Sequence, residues 1–141
     1  MMTLAPVHPD DYPTILTWLT APGRLVQSRH AGAVPTLERQ YQYVASLPMG
    51  ARYLRIHDDG QFVGVATLMP TWYGFDIGLL IGTPNQGTGT RALRAIMDEH
   101  QTVRITVGCA ASHGAMRRVC EKAGLAPLDS EPIVRYGREG R

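Results

Sequence analysis

The segment DIGLLIGTPNQGTGTRAL, residues 76–93, decides how the rest of the chain is interpreted. An apolar run of strand length fills residues 77–81. Gly82 and Pro84 end this run, because glycine loosens the backbone and proline lacks the N–H that a strand ladder needs. From Ala92 onward, apolar side chains recur at helical spacing. The segment therefore predicts a strand, a glycine-rich loop and the start of a helix.

The loop between these two predicted elements has the composition of an anion site. Glycine lets the backbone approach a ligand, and the free N–H groups of a helix start favour phosphate. The hydroxyls of Thr88 and Thr90 and the guanidinium of Arg91 would add donors. The alternative is a strand-to-helix turn whose glycines serve close packing, and an isolated GxG motif does not decide between the two. The chain has no GxxxxGK[ST] sequence, and Ala92 replaces the third glycine of the dinucleotide motif.

Three stretches in this order resemble the adjacent acyl-CoA-binding motifs of the GNAT superfamily of N-acyltransferases. They are IGTPNQGTGTRAL, the predicted strand TVRITVG, and RRVCEKAGL, in which CEKAGL stands where the family commonly has YEKxGF. The resemblance covers residues 61–125, and the remainder by the order of elements. It implies acetyl-CoA as acyl donor and no metal. The cofactor-binding positions that it implies are Leu80, Ile81, Gly82, Gln86, Gly87, Thr88, Gly89, Thr90, Arg91, His113 and Arg117.

Two registers of the loop on the family motif remain open. In one, Gln86 leads the pattern Q/R-x-x-G-x-G/A, Gly89 is its glycine and Arg91 occupies the last position. In the other, GTGTRAL aligns with the GxGTxxL of aminoglycoside-type members, and Thr83 replaces the leading glutamine. The role of Gln86 depends on which register holds.

Length and composition favour one domain over residues 1–141, with 44% hydrophobic residues and a formal charge of +2, and the resemblance implies that it is a GNAT-like acetyltransferase domain. The basic residues are scattered, which gives little support to nucleic-acid binding. The two cysteines are too few for a zinc site. MMTLAPVHPDD lacks the features of a signal peptide, and no apolar stretch reaches the 18 residues of a membrane span, so we expect a cytoplasmic protein.

The periodicity along the chain predicts the order β α α β β β α β α β β. Thr36 is a predicted N-cap for the second helix, with Leu37, Tyr41 and Val44 facing inward. Residues 58–60, Asp-Asp-Gly, predict a hairpin turn, and Gly124 the end of the last helix. We expect an α/β (mixed α+β) GNAT-like fold with a central mixed twisted sheet of about six or seven strands and helices on both faces.

Acetyl transfer from a thioester needs a deprotonated amine, because an amine with a pKa near 10 is mostly protonated at neutral pH. Asp76 is the candidate base, since it heads the central strand and resembles the acidic residue of GFD/GID segments in aminoglycoside-type members. The alternative is a surface aspartate that caps the strand. Cys120 stands where the family often has a tyrosine that protonates the leaving thiolate. It also lies on an apolar helical stripe, which favours a core role.

Other candidates have two interpretations each. His113 either hydrogen-bonds the pantetheine arm or caps the last helix, and Arg117 either contacts cofactor phosphate or lies on a solvated helix face. Trp72 and Tyr73 flank a place where an acceptor would lie, or they are packing residues. Arg24 and Arg29 are candidate substrate-binding residues, or solvated loop residues.

The resemblance favours an N-acetyltransferase acting on a primary amine of a small molecule or peptide terminus. Residues 21–43, where the family usually holds its acceptor, contain three arginines and one glutamate. That balance favours an amine that also carries a carboxylate or phosphate, such as an amino acid, an aminoacyl-tRNA or an amine-modified nucleotide, over a polycationic aminoglycoside. The competing interpretation is a catalytically silent module that binds coenzyme A or a protein. The resemblance is compatible with a homodimer and gives no reason to expect a membrane partner.

Overall fold

The structure is a computed structural model that describes residues 1–21, 36–82, 86–110, 114–128 and 133–140. The strands within these ranges are β1 (Met2–Pro6), β2 (Arg52–Asp58), β3 (Gln61–Thr71), β4 (Gly74–Ile81), β5 (Arg104–Ala110), β6 (Ala126–Pro127) and β7 (Ile133–Arg138). The helices are α1 (Tyr12–Leu19), α2 (Leu37–Ala45), α3 (Thr88–Glu99) and α4 (Gly114–Lys122).

The described strands form one seven-stranded sheet in the order β1-β2-β3-β4-β5-β7-β6. Neighbouring strands are antiparallel except β4 and β5, which are parallel because α3 connects them across the sheet. The β2–β3 hairpin turns through Asp59 and Gly60, both with positive φ, as the Asp-Gly sequence predicts. The prediction of a mixed sheet of about six or seven strands is confirmed.

Helices cover both faces of the sheet. Side chains alternate between the two faces along each strand, so apolar side chains on each face can pack against helices. Leu54 and Ile56 of β2 belong to a large buried cluster that includes apolar residues of α3 and α4. Tyr53, which lies between them in register, packs instead in a second cluster with residues of α1 and α2. The expectation of helices on both faces is therefore confirmed.

Local sequence signals correctly predicted the start of one helix and the end of another. The hydroxyl of Thr36 accepts a hydrogen bond from the amide of Arg39, as expected of an N-cap. At the end of α4, Gly124 has a φ of +92°, and the amide of Leu125 bonds the carbonyl of Cys120. These contacts form a Schellman motif, which terminates the helix.

Two other local predictions were wrong. Leu37 and Tyr41 are about half exposed, whereas Gln40 is buried and donates to the Tyr53 hydroxyl at 2.9 Å. The inward stripe of α2 thus includes a polar residue that the hydrophobic pattern excluded. The sequence Pro-Thr-Trp-Tyr-Gly at residues 70–74 predicts an interruption after Met69, yet Pro70 is part of β3 and pairs with Phe75. A proline is tolerated there because it lies at the end of a hairpin ladder, where one missing N–H costs little.

Each helix in the described ranges is too short or too polar to span a lipid bilayer.

Candidate functional site

A wedge opens between the two parallel strands. Their register pairs residues 74–77 of β4 with residues 104–107 of β5 and, in the described part of the chain, extends no further. Residues 78–81 remain paired with β3 on their other edge. Within the described part of the chain, a side-chain carbon built on Gly78 meets no atom within 4 Å, so the face of the sheet at Gly78, where the wedge begins, is uncovered by those residues. The wedge therefore offers main-chain groups of β4 to an extended ligand.

The open end of the wedge leads to the start of α3. The helix begins at Thr88, earlier than expected, and Gly87 precedes it with a φ of +72°, a left-handed conformation that glycine adopts without steric cost. The first helical hydrogen bond is from the amide of Arg91 to the carbonyl of Gly87. The amides of the three residues before Arg91 therefore have no helix carbonyl to bond. These amides lie at the positive end of the helix dipole, which suits an anion.

The residues of this loop divide between two roles. Gln86 and Gly87 are exposed, whereas Thr88 and Thr90 are buried, which leaves main-chain amides as the main donors expected there in place of the threonine hydroxyls. Gly89 is a packing residue, because a side-chain carbon on it would lie 3.2 Å from Cγ2 of Val119 on α4. Close packing therefore accounts for Gly89, whereas the anion-site interpretation stays a prediction for the exposed, left-handed Gly87.

Arg91 has partners within the protein. Its Nη2 donates to Oδ2 of Asp58 at 2.7 Å, and its Nη1 donates to the carbonyl oxygen of Gln86 at 3.3 Å. The side chain is 48% exposed, so this ion pair is a weak one. The contacts link the β2–β3 turn to the loop, and they give Arg91 a structural role beside the cofactor contact expected from the sequence.

Leu80 and Ile81 form the end of β4 that lines the wedge, and Gly82 follows them directly. The side chains of Leu80 and Ile81 pack in the clusters on opposite faces of the sheet, which leaves their main chain at the wedge. Gly82 donates its amide to Val63 at 2.8 Å. A side-chain carbon on Gly82 would lie 2.6 Å from Nε1 of Trp18, so the α1 indole packs directly on this glycine.

Asp76 lies at the closed end of the wedge, on the face of the sheet that α1 and α2 cover, since it alternates with the buried Ile77. Its Oδ1 accepts a hydrogen bond from the hydroxyl of Thr106 at 2.9 Å. The hydroxyl of Tyr73 lies 2.9 Å from the same Thr106 oxygen. Sequence reasoning missed Thr106, whose one signal is a polar side chain between Ile105 and Val107 in an apolar strand.

The two aromatic residues of the β3–β4 turn differ in their surroundings. Trp72 is 92% exposed and contacts the Tyr73 ring edge to face, at 5.3 Å between ring centroids. The Arg104 guanidinium lies 4.9 Å from the centroid of the Tyr73 ring, and its Nε bonds Glu139 at 3.1 Å. Tyr73 is therefore held by its neighbours, and Trp72 is accessible to a ligand.

Cys120 is fully buried among the apolar side chains of α3, α4 and the sheet. A thiol in that position has no solvent-accessible surface from which to protonate a leaving group. The core interpretation of Cys120 is therefore favoured over the catalytic one, for the reason that the apolar stripe predicted.

Arg117 also has a partner within the fold. Its Nε donates to the Tyr136 hydroxyl at 3.4 Å, and that hydroxyl donates to Glu121 at 3.0 Å. Tyr136 is fully buried, so this arginine connects α4 to β7. Three further predicted site residues, Arg24, Arg29 and His113, lie outside the described residues.

Within the described part of the chain, no three His, Cys, Asp or Glu residues are grouped so that they could hold a metal ion.

The sequence matches the profile of a known protein family. The profile described as "Acetyltransferase (GNAT) domain" matches residues 2–126. A comparison with curated protein sequences finds no match.

Solved structures show the same fold at low sequence identity. RimL, a ribosomal L7/L12 alpha-N-protein acetyltransferase in complex with coenzyme A, is 14% identical with a TM-score of 0.83, over 99% of this chain and 94% of that one. The microcin C7 self-immunity acetyltransferase MccE, in complex with acetyl-CoA and AMP, is 12% identical with a TM-score of 0.79, over 98% and 92%. The aminoglycoside acetyltransferase AAC(6')-Ib, in complex with coenzyme A and kanamycin, is 18% identical with a TM-score of 0.76, over 99% and 95%.

Proposed function

Because the chain belongs to the GNAT acetyltransferase domain family, we propose that it transfers an acetyl group from acetyl-CoA to a primary amine of a small molecule or peptide terminus. The observation that carries this proposal is the place of Asp76. Its carboxylate lies at the closed end of the wedge between β4 and β5, and the open end of the same wedge leads to the amides that begin α3. On this proposal, Asp76 would serve as the proton acceptor at one end of the wedge and the α3 amides as the anion site at the other.

The residues around the wedge fit an acyl-CoA. The sheet face at Gly78, uncovered by the described residues, and the edge of residues 78–81 suit an extended pantetheine arm, whose amides would bond the main chain. The left-handed Gly87 and the amides before Arg91 suit its diphosphate. When bound, acetyl-CoA supplies a reactive thioester carbonyl as the acetyl donor. We propose cofactor contacts for Leu80, Ile81, Gly82, Gln86 and Gly87, with Thr88, Gly89 and Thr90 contributing through their main-chain amides.

Asp76 would act as the general base of the transfer. Its carboxylate accepts a proton from the amine, which then attacks the acetyl carbonyl as a neutral nucleophile. Main-chain groups of β4 hold the two reactants close together, which lowers the barrier by replacing an encounter in solution with a fixed geometry. Cys120 takes no part in this proposal, since it is buried, and solvent protonates the departing thiolate.

The acceptor we propose is an amine that also carries an anionic group. Three arginines and one glutamate in residues 21–43 favour it, and like charges there would weaken the binding of a polycation. Similar structures include a protein N-acetyltransferase, an acetyltransferase that contains AMP and an aminoglycoside acetyltransferase, so the charge of residues 21–43 carries the choice of acceptor. The exposed Trp72 offers an aromatic surface at the acceptor side of β4.

A second candidate function is a catalytically silent module that binds acetyl-CoA. The observation that favours it is Cys120, a buried thiol at the position where the resemblance implies a tyrosine proton donor. Such a module would retain the wedge and the anion site but would have no need of Asp76 as a base.

The test is an acetyl-CoA turnover screen that measures thiol release with two sets of amines. One set contains amino acids, peptides and amine-modified nucleotides, and the other contains aminoglycosides and polyamines. Turnover in the anionic set alone supports the proposal. Efficient acetylation of kanamycin-like compounds alone overturns the acceptor class. Acetyl-CoA binding without thiol release in either set favours the silent module.

A further inference from the structure

The hydroxyl of Thr106 joins two groups that are far apart in the sequence. Thr106 is 3% exposed and lies directly across the parallel pair from Asp76. Its oxygen is 2.9 Å from Oδ1 of Asp76 and 2.9 Å from the hydroxyl oxygen of Tyr73. A polar side chain this buried is stable because both of its neighbours satisfy it.

The direction of the two hydrogen bonds follows from the number of protons. A threonine hydroxyl has one hydrogen and can donate once. An ionised carboxylate can only accept, so the Thr106 hydrogen points to Asp76. The Tyr73 hydroxyl must then donate to the Thr106 oxygen. The result is a chain of two hydrogen bonds, from Tyr73 through Thr106 to Asp76, that ends on the carboxylate.

The far end of this chain is itself fixed. The Arg104 guanidinium lies over the Tyr73 ring, and Glu139 bonds Arg104 at Nε. The amide of Gly74, beside Tyr73, donates to the Thr71 hydroxyl at 3.1 Å, which closes the β3–β4 turn. Tyr73 and Thr106 are therefore held in place before any substrate binds.

We propose that Thr106 is the positioning residue for Asp76, and that Tyr73 acts through Thr106. This inference rests on the proposed function, in which Asp76 is the base. An aspartate side chain can rotate between staggered conformations, but the Thr106 bond fixes one oxygen and so sets the direction of the carboxylate. A carboxylate has about four acceptor sites, and the bond from Thr106 occupies one of them. Proton removal depends on this alignment.

The first test compares two substitutions at the same position. Thr106→Val keeps the shape of the side chain and removes the hydroxyl. We expect kcat/KM for the best amine of the turnover screen to fall by about 10-fold or more, the loss typical of a hydrogen bond to a charged group. The loss should be in kcat, with the KM for acetyl-CoA unchanged. Thr106→Ser keeps the hydroxyl and should restore most of the rate. Thermal melting of both variants verifies that the fold is intact.

The second test is a double-mutant cycle with Asp76→Asn. If Thr106 acts through the carboxylate, Thr106→Val should cost little more once that carboxylate is gone. Tyr73→Phe should reduce kcat less than Thr106→Val does, because it lies one bond further from Asp76.

Several outcomes would overturn the inference. A wild-type rate in Thr106→Val, an equal loss in Thr106→Ser, or the same penalty for Thr106→Val with and without the Asp76 carboxylate would each do so. Failure of the underlying function looks different. In that case Asp76→Asn itself has the wild-type rate, whereas failure of the inference alone leaves Asp76→Asn impaired and Thr106→Val active.

Discussion

Thr106 and Asp76 lie in register on β5 and β4, and the hydroxyl of one bonds the carboxylate of the other at 2.9 Å. The pairing of the two strands ends one residue further along, at Ile77 and Val107. The same strand β4 thus supplies the candidate base and, immediately after it, the edge that lines the wedge. On the proposed function, this arrangement would place the Asp76 carboxylate beside the acetyl group.

Acetyl-CoA should stabilise the protein through the amides at the start of α3. A ligand that binds the native state alone raises the free energy of unfolding by about 2.7 kcal/mol at a hundredfold excess over its Kd. Gly87→Asp and Gly87→Asn both place a residue that tolerates the left-handed conformation at the φ of +72°. The aspartate adds a negative charge near the proposed diphosphate and should weaken acetyl-CoA binding by about tenfold or more, whereas the asparagine should not.

Gly124→Asp is the matched control for this pair, because Gly124 also has a positive φ, +92°, but lies at the far end of α4. It introduces a side chain at a positive φ as Gly87→Asp does, and it should leave the ligand-induced shift in melting temperature intact. Equal binding of acetyl-CoA to the two Gly87 variants would show that the diphosphate does not bind at this loop.

How much of this site the sequence could reveal depends on whether a feature is local. The Asp59–Gly60 turn, the Thr36 cap and Gly124 were predicted correctly because each depends on the conformation of adjacent residues. The link between Asp76 and Thr106 was not predicted, because it depends on the register of two strands separated by a helix. No local preference encodes that register. The burial of Gln40 was missed for a related reason, since its partner Tyr53 lies on another element.

Cys120 should contribute to stability more than to catalysis. It is fully buried, and Cys120→Ala removes a sulfur atom from the core, which should lower the free energy of unfolding by about 1 kcal/mol or more. Its kcat/KM should remain close to that of the wild type. Denaturant unfolding and steady-state kinetics on the same preparation measure both effects. A large loss of kcat with normal stability would instead support a catalytic thiol.

Tyr53 should make the fold sensitive to alkaline pH. Burial raises the pKa of this tyrosine from 10.0 to about 12, although the hydrogen bond from Gln40 opposes the shift. Between these two values the unfolded chain loses the phenolic proton while the native state keeps it. Stability should therefore be intact below the unfolded pKa and fall as pH rises, by up to about 1.4 kcal/mol per pH unit from this group.

Tyr53→Phe should reduce this alkaline slope in unfolding experiments. Part of the slope should remain, because burial also raises the pKa of Tyr12. An unchanged slope in Tyr53→Phe would show that Tyr53 ionises alike in the folded and unfolded chain.

The most direct measurement of the proposed function is kcat/KM for acetyl transfer by the wild type and Asp76→Asn, with coenzyme A thiol and acetylated amine quantified together from neutral to alkaline pH. We predict equal amounts of the two products in the wild type and a loss of about 10²- to 10⁴-fold in Asp76→Asn at neutral pH, the range typical of general-base catalysis. The loss should shrink at high pH, where the amine deprotonates without help. A wild-type rate in Asp76→Asn at neutral pH, or thiol release without acetylated amine, would contradict the account.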